Sequence, residues 1–407
     1  MRLNALKNWQ RLKMGLNHTV YGLSGTVFNF VFSLIIVRQY SAQLWGSFAQ
    51  LMLMMTFLSQ ITSWGNKDYL LREFSRNNQH PFLWQTSFLS RIAISIPLLP
   101  LFFIPGFTQN EPLLFGIWCL TNFFLRSFDS VIVFERKFKH AITIELFGFL
   151  VVIVLLLFAP KDISFHTLIM LFILSTFIKI LLYLPIVKQP FLELFCGTFS
   201  RQYLLLSIPY FLPPFISFLN AKADTFAIAL TLSEQELGKY YVLVSLVSYC
   251  QAIAALALVP FLKNIYRIKL GSFLKIKKIF FLGGMVWSVL CMVSIYVIIE
   301  FIYLIHFGTY IYIVAALALP PFFIYYLIAQ DFFRHDNPYP AVIINLIAAI
   351  LNFMVSLLLI DSFGFMGGLL SFAAMQWVLL TGFLVWNKIG RRNAVDSPFP
   401  RIKIMSF

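Results

Sequence analysis

The chain alternates between long apolar runs and short polar breaks. Apolar runs lie near 18–37, 44–64, 81–104, 112–134, 141–159, 164–186, 203–223, 239–262, 279–300, 309–329, 340–360 and 364–387. Each is about 20 residues, enough for a helix to cross a hydrocarbon core of about 30 Å. The short alternating segments of a barrel strand are missing. The pattern predicts an all-α integral membrane protein with 12 transmembrane helices. No outer connection exceeds about 15 residues, which leaves no sizeable loop in which a membrane polymerase could hold catalytic groups.

Two polar breaks echo each other 192 positions apart. Ser41, Gln43, Gly46 and Phe48 correspond to Ser233, Gln235, Gly238 and Tyr240. The offset is close to half the chain. It predicts two related six-helix lobes around a central cavity, spanning 1–186 and 203–387. Residues 187–202 would link them on the cytoplasmic side, with Phe191, Leu192, Leu194 and Phe195 suggesting either an amphipathic surface stretch or a plain linker. Residues 388–407 would form a basic cytoplasmic tail.

Composition supports the membrane class: 60% of residues are hydrophobic and 12% charged, about half the charge of a soluble domain. The net charge of +15 is read through topology rather than nucleic-acid binding. Alternate connections carry 24 Lys and Arg residues on one side and 4 on the other. Basic residues collect in cytoplasmic loops, so both termini are expected inside. The basic first 17 residues run into an apolar stretch without a small-residue cleavage pattern, predicting an uncleaved first helix.

Arg91, Arg126 and Lys179 remain inside spans. A central Arg or Lys costs roughly 2.5–3.5 kcal/mol on insertion scales, so such residues rarely face lipid. Each lies on a polar stripe: Ser87, Arg91 and Ser95; Asn122, Arg126 and Asp129; Thr176, Lys179 and Tyr183. The expected lining of a wet cavity is Arg91, Arg126, Lys179, Asn122 and Asn29, able to hold an anionic group such as a pyrophosphate or acidic sugar. Two structural alternatives stand beside it: Arg126 pairs with Asp129 at i, i+3, and Lys179 snorkels to headgroups. Asp129 and Glu145 could bind a coupling proton or cation, or serve as salt-bridge partners. Arg38, Asn220 and Asp224 fall at outer ends of corresponding helices and are expected to line or gate an outward opening. Pro213 and Pro214 in span seven, and Pro320 and Pro321 in span ten, are candidate hinges.

No phosphate-binding loop, metal-ligand cluster or nucleophile elbow is found in the sequence. Cys119, Cys196, Cys250 and Cys291 lack metal or disulfide spacing. No catalytic residue, cofactor or metal is expected.

Three elements then carry a family resemblance: Arg38 to Gly46-Ser47-Phe48 after span one; Asp224 to Gly238-Lys239-Tyr240 after span seven; and Asn345 and Asn352 leading into Gly364-Phe365-Met366-Gly367-Gly368. The layout resembles polysaccharide transporters of the O-antigen flippase type, whose superfamily also holds multidrug exporters and peptidoglycan-precursor flippases. The resemblance implies alternating access between two lobes, an undecaprenyl-pyrophosphate-linked oligosaccharide as cargo, and the bacterial inner membrane. Membrane lipid, a polysaccharide polymerase and a chain-length regulator are the expected partners, and nucleic acid is not. A cation-coupled exporter of the same fold is the alternative, although span one lacks the buried carboxylate expected of it. A polymerase or a structural scaffold fits the sequence less well.

Overall fold

The computed structural model describes residues 2–76, 80–103, 111–160, 162–187, 195–265, 270–334 and 339–396. The regular elements among them are all helical. The first lobe holds α1 (Arg2–Gln39), α2 (Ala42–Ser63), α3 (Asn66–Arg76), α4 (His80–Ser95), α5 (Pro112–Ser127), α6 (Asp129–Phe134), α7 (Phe138–Leu157) and α8 (Phe165–Val187). The second holds α9 (Arg201–Thr231), α10 (Glu234–Ile265), α11 (Leu270–Val297), α12 (Thr309–Leu317), α13 (Pro320–Arg334), α14 (Tyr339–Phe363) and α15 (Phe365–Asp396). Among the described residues, 11 segments are long and apolar enough to cross a membrane; α10 covers the remaining predicted span. The protein is a multi-pass membrane protein. Residues 188–194 of the 187–202 linker and 397–407 of the tail lie outside the described residues.

The irregularities follow local chemistry. Span three tightens into a 3₁₀ stretch over Ile96–Phe103, where Pro97 and Pro100 stand. Span four breaks at Phe128, between α5 and α6. Span nine ends in a π turn, Ile298–Tyr303, closed by Leu304 in the left-handed region. Span ten breaks before Pro320, which begins α13 together with Pro321, where the absent N–H groups cost least. By contrast, α9 runs unbroken through Pro209, Pro213 and Pro214.

The polar stretch 65–80, read as a loop, contains α3. Trp64 (φ 43°) and Gly65 (φ 67°) form a left-handed turn out of α2. Asn66, Tyr69, Leu70 and Phe74 then bury one face at i, i+3, i+4 and i+8. A Cβ at Gly65 would press on the Phe211 and Tyr210 backbone. Trp64 stacks on Phe211 at 4.3 Å and its Nε1–H donates to the Leu204 carbonyl at 3.0 Å. The first turns of α9 therefore pack on α2 and α3, although the rest of α9 lies against α14.

The echoed breaks are structural twins. Ser41 caps α2 by accepting the Leu44 N–H at 3.0 Å. Ser233 accepts the corresponding Glu236 N–H at 3.4 Å. Gly46 and Gly238 then bring α2 and α10 into backbone contact. A Cβ on Gly46 would collide with the Glu234 carbonyl, and one on Gly238 with the Ala42 carbonyl. Residues 42 and 234 are themselves 192 apart, so the contact is reciprocal about a pseudo-twofold axis. Lipid supplies no hydrophobic drive for helix association, so this close approach rests on the missing side chains.

Candidate functional site

A cavity of about 400 Å³ opens inside the first lobe, walled by α1, α2, α3, α5, α6, α7 and α8. Gly22 and Gly25 face it, and a Cβ on either would meet open space. Asn29, Asn122, Arg126, Asp129, Glu145 and Lys179 all line it. Two of the three predicted stripes thus converge on one chamber. Asn29 is 10 residues before Gln39, the end of α1, so it lies about 15 Å along the helix from the echoed turn.

Lys179 is set by one face of α7. Its Nζ donates to Glu145 Oε2 at 2.7 Å and lies 4.1 Å from the Phe149 ring centroid. Gly148 lies between them, and any Cβ there would strike the Lys179 stem. Ser175 donates to the Gly148 carbonyl at 2.9 Å and fixes α8 against α7. The Tyr183 hydroxyl donates to Glu145 Oε1 at 3.4 Å. Lys179 is thus a buried, paired ammonium; it does not snorkel.

Asp129 is held differently. Tyr21 donates to its Oδ1 at 3.1 Å, and no ion pair joins it to Arg126 among the described residues. Arg126 is exposed to the chamber. The sequence reading missed one cation: Lys67, at the start of α3, lines the same chamber. In sequence it is one of the charges of the 65–80 connection; the only local signal is the Trp64-Gly65 pair, which breaks α2 just before it. The chamber therefore presents Arg126 and Lys67 as cations without ion pairs among the described residues, beside a neutralised Lys179–Glu145 pair.

Arg91 lies elsewhere. It is 1% exposed and is absent from the chamber wall. Its Nη2 donates to Ser127 Oγ at 2.8 Å, and its guanidinium stands 4.9 Å from the Phe123 centroid. At Arg91 and Ser87 the stripe meets other helices rather than the chamber: Ser87 Oγ bonds Asn66 Oδ1 and Tyr203 Oη, while Ser95 bonds back to the Arg91 carbonyl of its own helix. Polar seams between packed helices and wet surfaces share the same periodicity, which is why the stripe misled.

The end bearing the echoed turns is closed. Arg38 Nη1 donates to the Ile302 carbonyl of the π turn at 3.0 Å. Gln43 Nε2 donates to Glu234 Oε2 at 3.5 Å, and the Tyr303 and Ser33 hydroxyls meet at 2.6 Å. Arg38 thus joins the lobes across the closed end.

Asp224 and Asn220 are buried inside the second lobe instead of facing an opening. Asp224 is 0% exposed. It accepts from the Tyr240 hydroxyl and from Asn352 Nδ2 at 3.5 Å. Asn220 Nδ2 donates to Asn345 Oδ1 at 3.2 Å, and Ser371 to Asn352 Oδ1 at 2.9 Å. Buried polar groups need such partners because lipid offers none. The spaced Asp-to-Gly-x-Tyr element and the asparagine-bearing helix are thus one hydrogen-bonded lock. Gly364 (φ 58°) turns α14 into α15, and Gly367 leaves room for the Leu359 carbonyl.

No family model and no curated protein matches the sequence. Solved structures do match its shape. Lipid II flippase MurJ in an inward closed conformation aligns with a TM-score of 0.71 at 15% identity, over 92% of this chain and 87% of that one. An inward-facing multidrug resistance MATE family transporter of the MOP superfamily aligns at 0.65 and 14%, over 94% and 96%. The eukaryotic MATE transporter AtDTX14 aligns at 0.56 and 13%, over 94% and 96%. The chain has their fold. The two-lobed architecture read from the echo is the one these transporters share.

Proposed function

We propose that the protein is an alternating-access flippase for a lipid-linked saccharide with an anionic headgroup. Undecaprenyl-pyrophosphate carrying a repeat unit of O-antigen or a similar surface polysaccharide is the proposed cargo, and the bacterial inner membrane the proposed site. The observation that carries this reading is the first-lobe chamber: Arg126 and Lys67 exposed at its wall, next to Asn29 and Asn122. A pyrophosphate and its sugars cannot cross hydrocarbon unaided. Cations in a wet, protein-lined chamber compensate the charge while the lipid tail stays in the bilayer. With both termini cytoplasmic, the echoed turns lie outside, and the Gly46–Gly238 contact closes that side. Rocking of the lobes would then exchange which side is closed.

A cation-coupled exporter of the same fold is the second reading. The observation that serves it is the Tyr21–Asp129 pair on the chamber wall, a carboxylate held by a neutral donor and able to take a proton or cation. Deleting the gene in its host decides between them. Complete lipid-linked repeat units should accumulate on the cytoplasmic leaflet, and Arg126→Ala should fail to clear them. Normal surface polymer in the deletion strain refutes the flippase.

A further inference from the structure

The first-lobe chamber has a counterpart in the second lobe. A pocket of about 350 Å³ lies between α9, α10, α13, α14 and α15. Pro213, Ser217, Asn220, Ala221 and Ser248 line it. The residues 192 positions earlier, Tyr21, Gly25, Phe28, Asn29 and Thr56, line the chamber of the first lobe. The two pockets are therefore the same place in the two repeats, and their chemistry has diverged.

The second pocket has no Lys, Arg, Asp or Glu among its described lining residues. It has five carboxamides instead: Asn220, Gln251, Gln330, Asn345 and Gln376. Gln251 Nε2 is buried and makes no hydrogen bond among the described residues. Paired aromatic rings form another part of the wall. Phe322 stacks on Tyr326 at 5.4 Å, and Tyr325 on Phe383 at 5.7 Å. The Tyr325 hydroxyl donates to Gln376 Oε1 at 2.9 Å, which fixes the amide's orientation.

This lining discriminates among ligand classes. Carboxamides both donate and accept, as a ring hydroxyl requires. Aromatic faces are electron-rich and attract the polarised C–H face of a sugar ring. A phosphate would find no cation here. A purely apolar ligand would leave Gln251 Nε2 desolvated, with no hydrogen bond among the described residues. The volume falls within the range of small-ligand sites, roughly 300–1,000 Å³.

We propose that the second-lobe pocket is a subsite for neutral sugar residues of the cargo, while the first-lobe chamber takes the anionic group. The assignment rests on the flippase reading for the link between sugar and lipid. It divides the work: charge is bound on one lobe and carbohydrate on the other, so only a cargo carrying both bridges the lobes.

The test uses the full chain in nanodiscs and two probes: undecaprenyl pyrophosphate, and the same lipid bearing a neutral hexose–N-acetylhexosamine disaccharide. The sugar-bearing lipid should bind about tenfold more tightly, the factor that 1.4 kcal/mol supplies. Gln251→Leu and Phe322→Ala should each remove that increment and leave the affinity for the bare lipid unchanged, which also reports that the variants are folded. Arg126→Ala should weaken both probes alike. If the disaccharide adds nothing to wild-type affinity, or its increment survives both second-lobe substitutions, the subsite is overturned while the flippase reading stands. If neither lipid binds the wild type, the flippase reading falls and the subsite with it.

Discussion

The reciprocal glycine contact makes a quantitative prediction. In Gly46→Val the new Cβ falls on the Glu234 carbonyl, a backbone atom that cannot swing aside. The helices α2 and α10 must part, or the contact must strain. Overpacking a fitted contact costs about 1–3 kcal/mol. Charged to the closed state alone, this lowers the ratio of closed to open molecules roughly 5- to 150-fold. Gly238→Val should do the same, because it places a Cβ on the Ala42 carbonyl. The double variant should cost little more than either single one, since parting the helices once relieves both clashes. The assay is thiol cross-linking between Gln43→Cys and Glu234→Cys, whose native side chains meet at 3.5 Å. The background replaces Cys119, Cys196, Cys250 and Cys291. Cross-linking with a short bifunctional reagent should slow in each glycine variant, while external labelling of the same cysteines rises. Folded protein with unchanged cross-linking, or strictly additive effects of the two valines, would refute the idea that this contact closes the outer side.

Removing Lys179 as Lys179→Met leaves Glu145 without its cation; breaking a buried pair costs about 3–5 kcal/mol, and Lys179→Met with Glu145→Gln should recover much of the loss in thermal unfolding. Tyr240→Phe takes a donor from the fully buried Asp224 and should lower stability by about 1–3 kcal/mol, with headgroup affinity unaffected in a binding titration. Arg91→Met should bind undecaprenyl pyrophosphate as wild type does, because the Arg91 side chain faces Ser127 and Phe123 rather than the chamber. Arg126→Ala in the same titration should show a clear loss.

The helices were legible because span length and apolar runs are local properties of the chain. Two stripes, Asn122–Arg126–Asp129 and Thr176–Lys179–Tyr183, border one chamber in the structure, since each lies on one polar face of its span. Other features could not be read that way. Whether Arg91 faces water or a polar seam depends on what α3 and α5 bring against it. Lys67 reaches the chamber from α3, which begins after the left-handed Trp64-Gly65 turn and packs on α6. Asp224 has its phenolic partner 16 residues away on the next helix, a pairing visible in sequence only as an unexplained spacing.

The repeat also explains how the lobes could move as units. Phe32 and Phe48 stand 192 positions before Asp224 and Tyr240. In the first lobe the pair is aromatic, with ring centroids 5.3 Å apart; in the second it is a carboxyl–phenol hydrogen bond. Phe28, the counterpart of Asn220, stacks on Phe149 at 3.9 Å, where Asn220 bonds Asn345. The same three positions thus stiffen each lobe by different means. Aromatic pairs add roughly 0.5–1.5 kcal/mol each beyond burial, and buried hydrogen bonds between membrane helices average about 0.6 kcal/mol. Neither set crosses between lobes. The cross-lobe contacts run from the echoed turns along α2 and α10, and α2 meets α9 from the Trp64–Phe211 stack to Phe57 against Phe226. We propose that the proline-rich stretch of α9, unbroken in this state, is where the helix bends when the closed end opens.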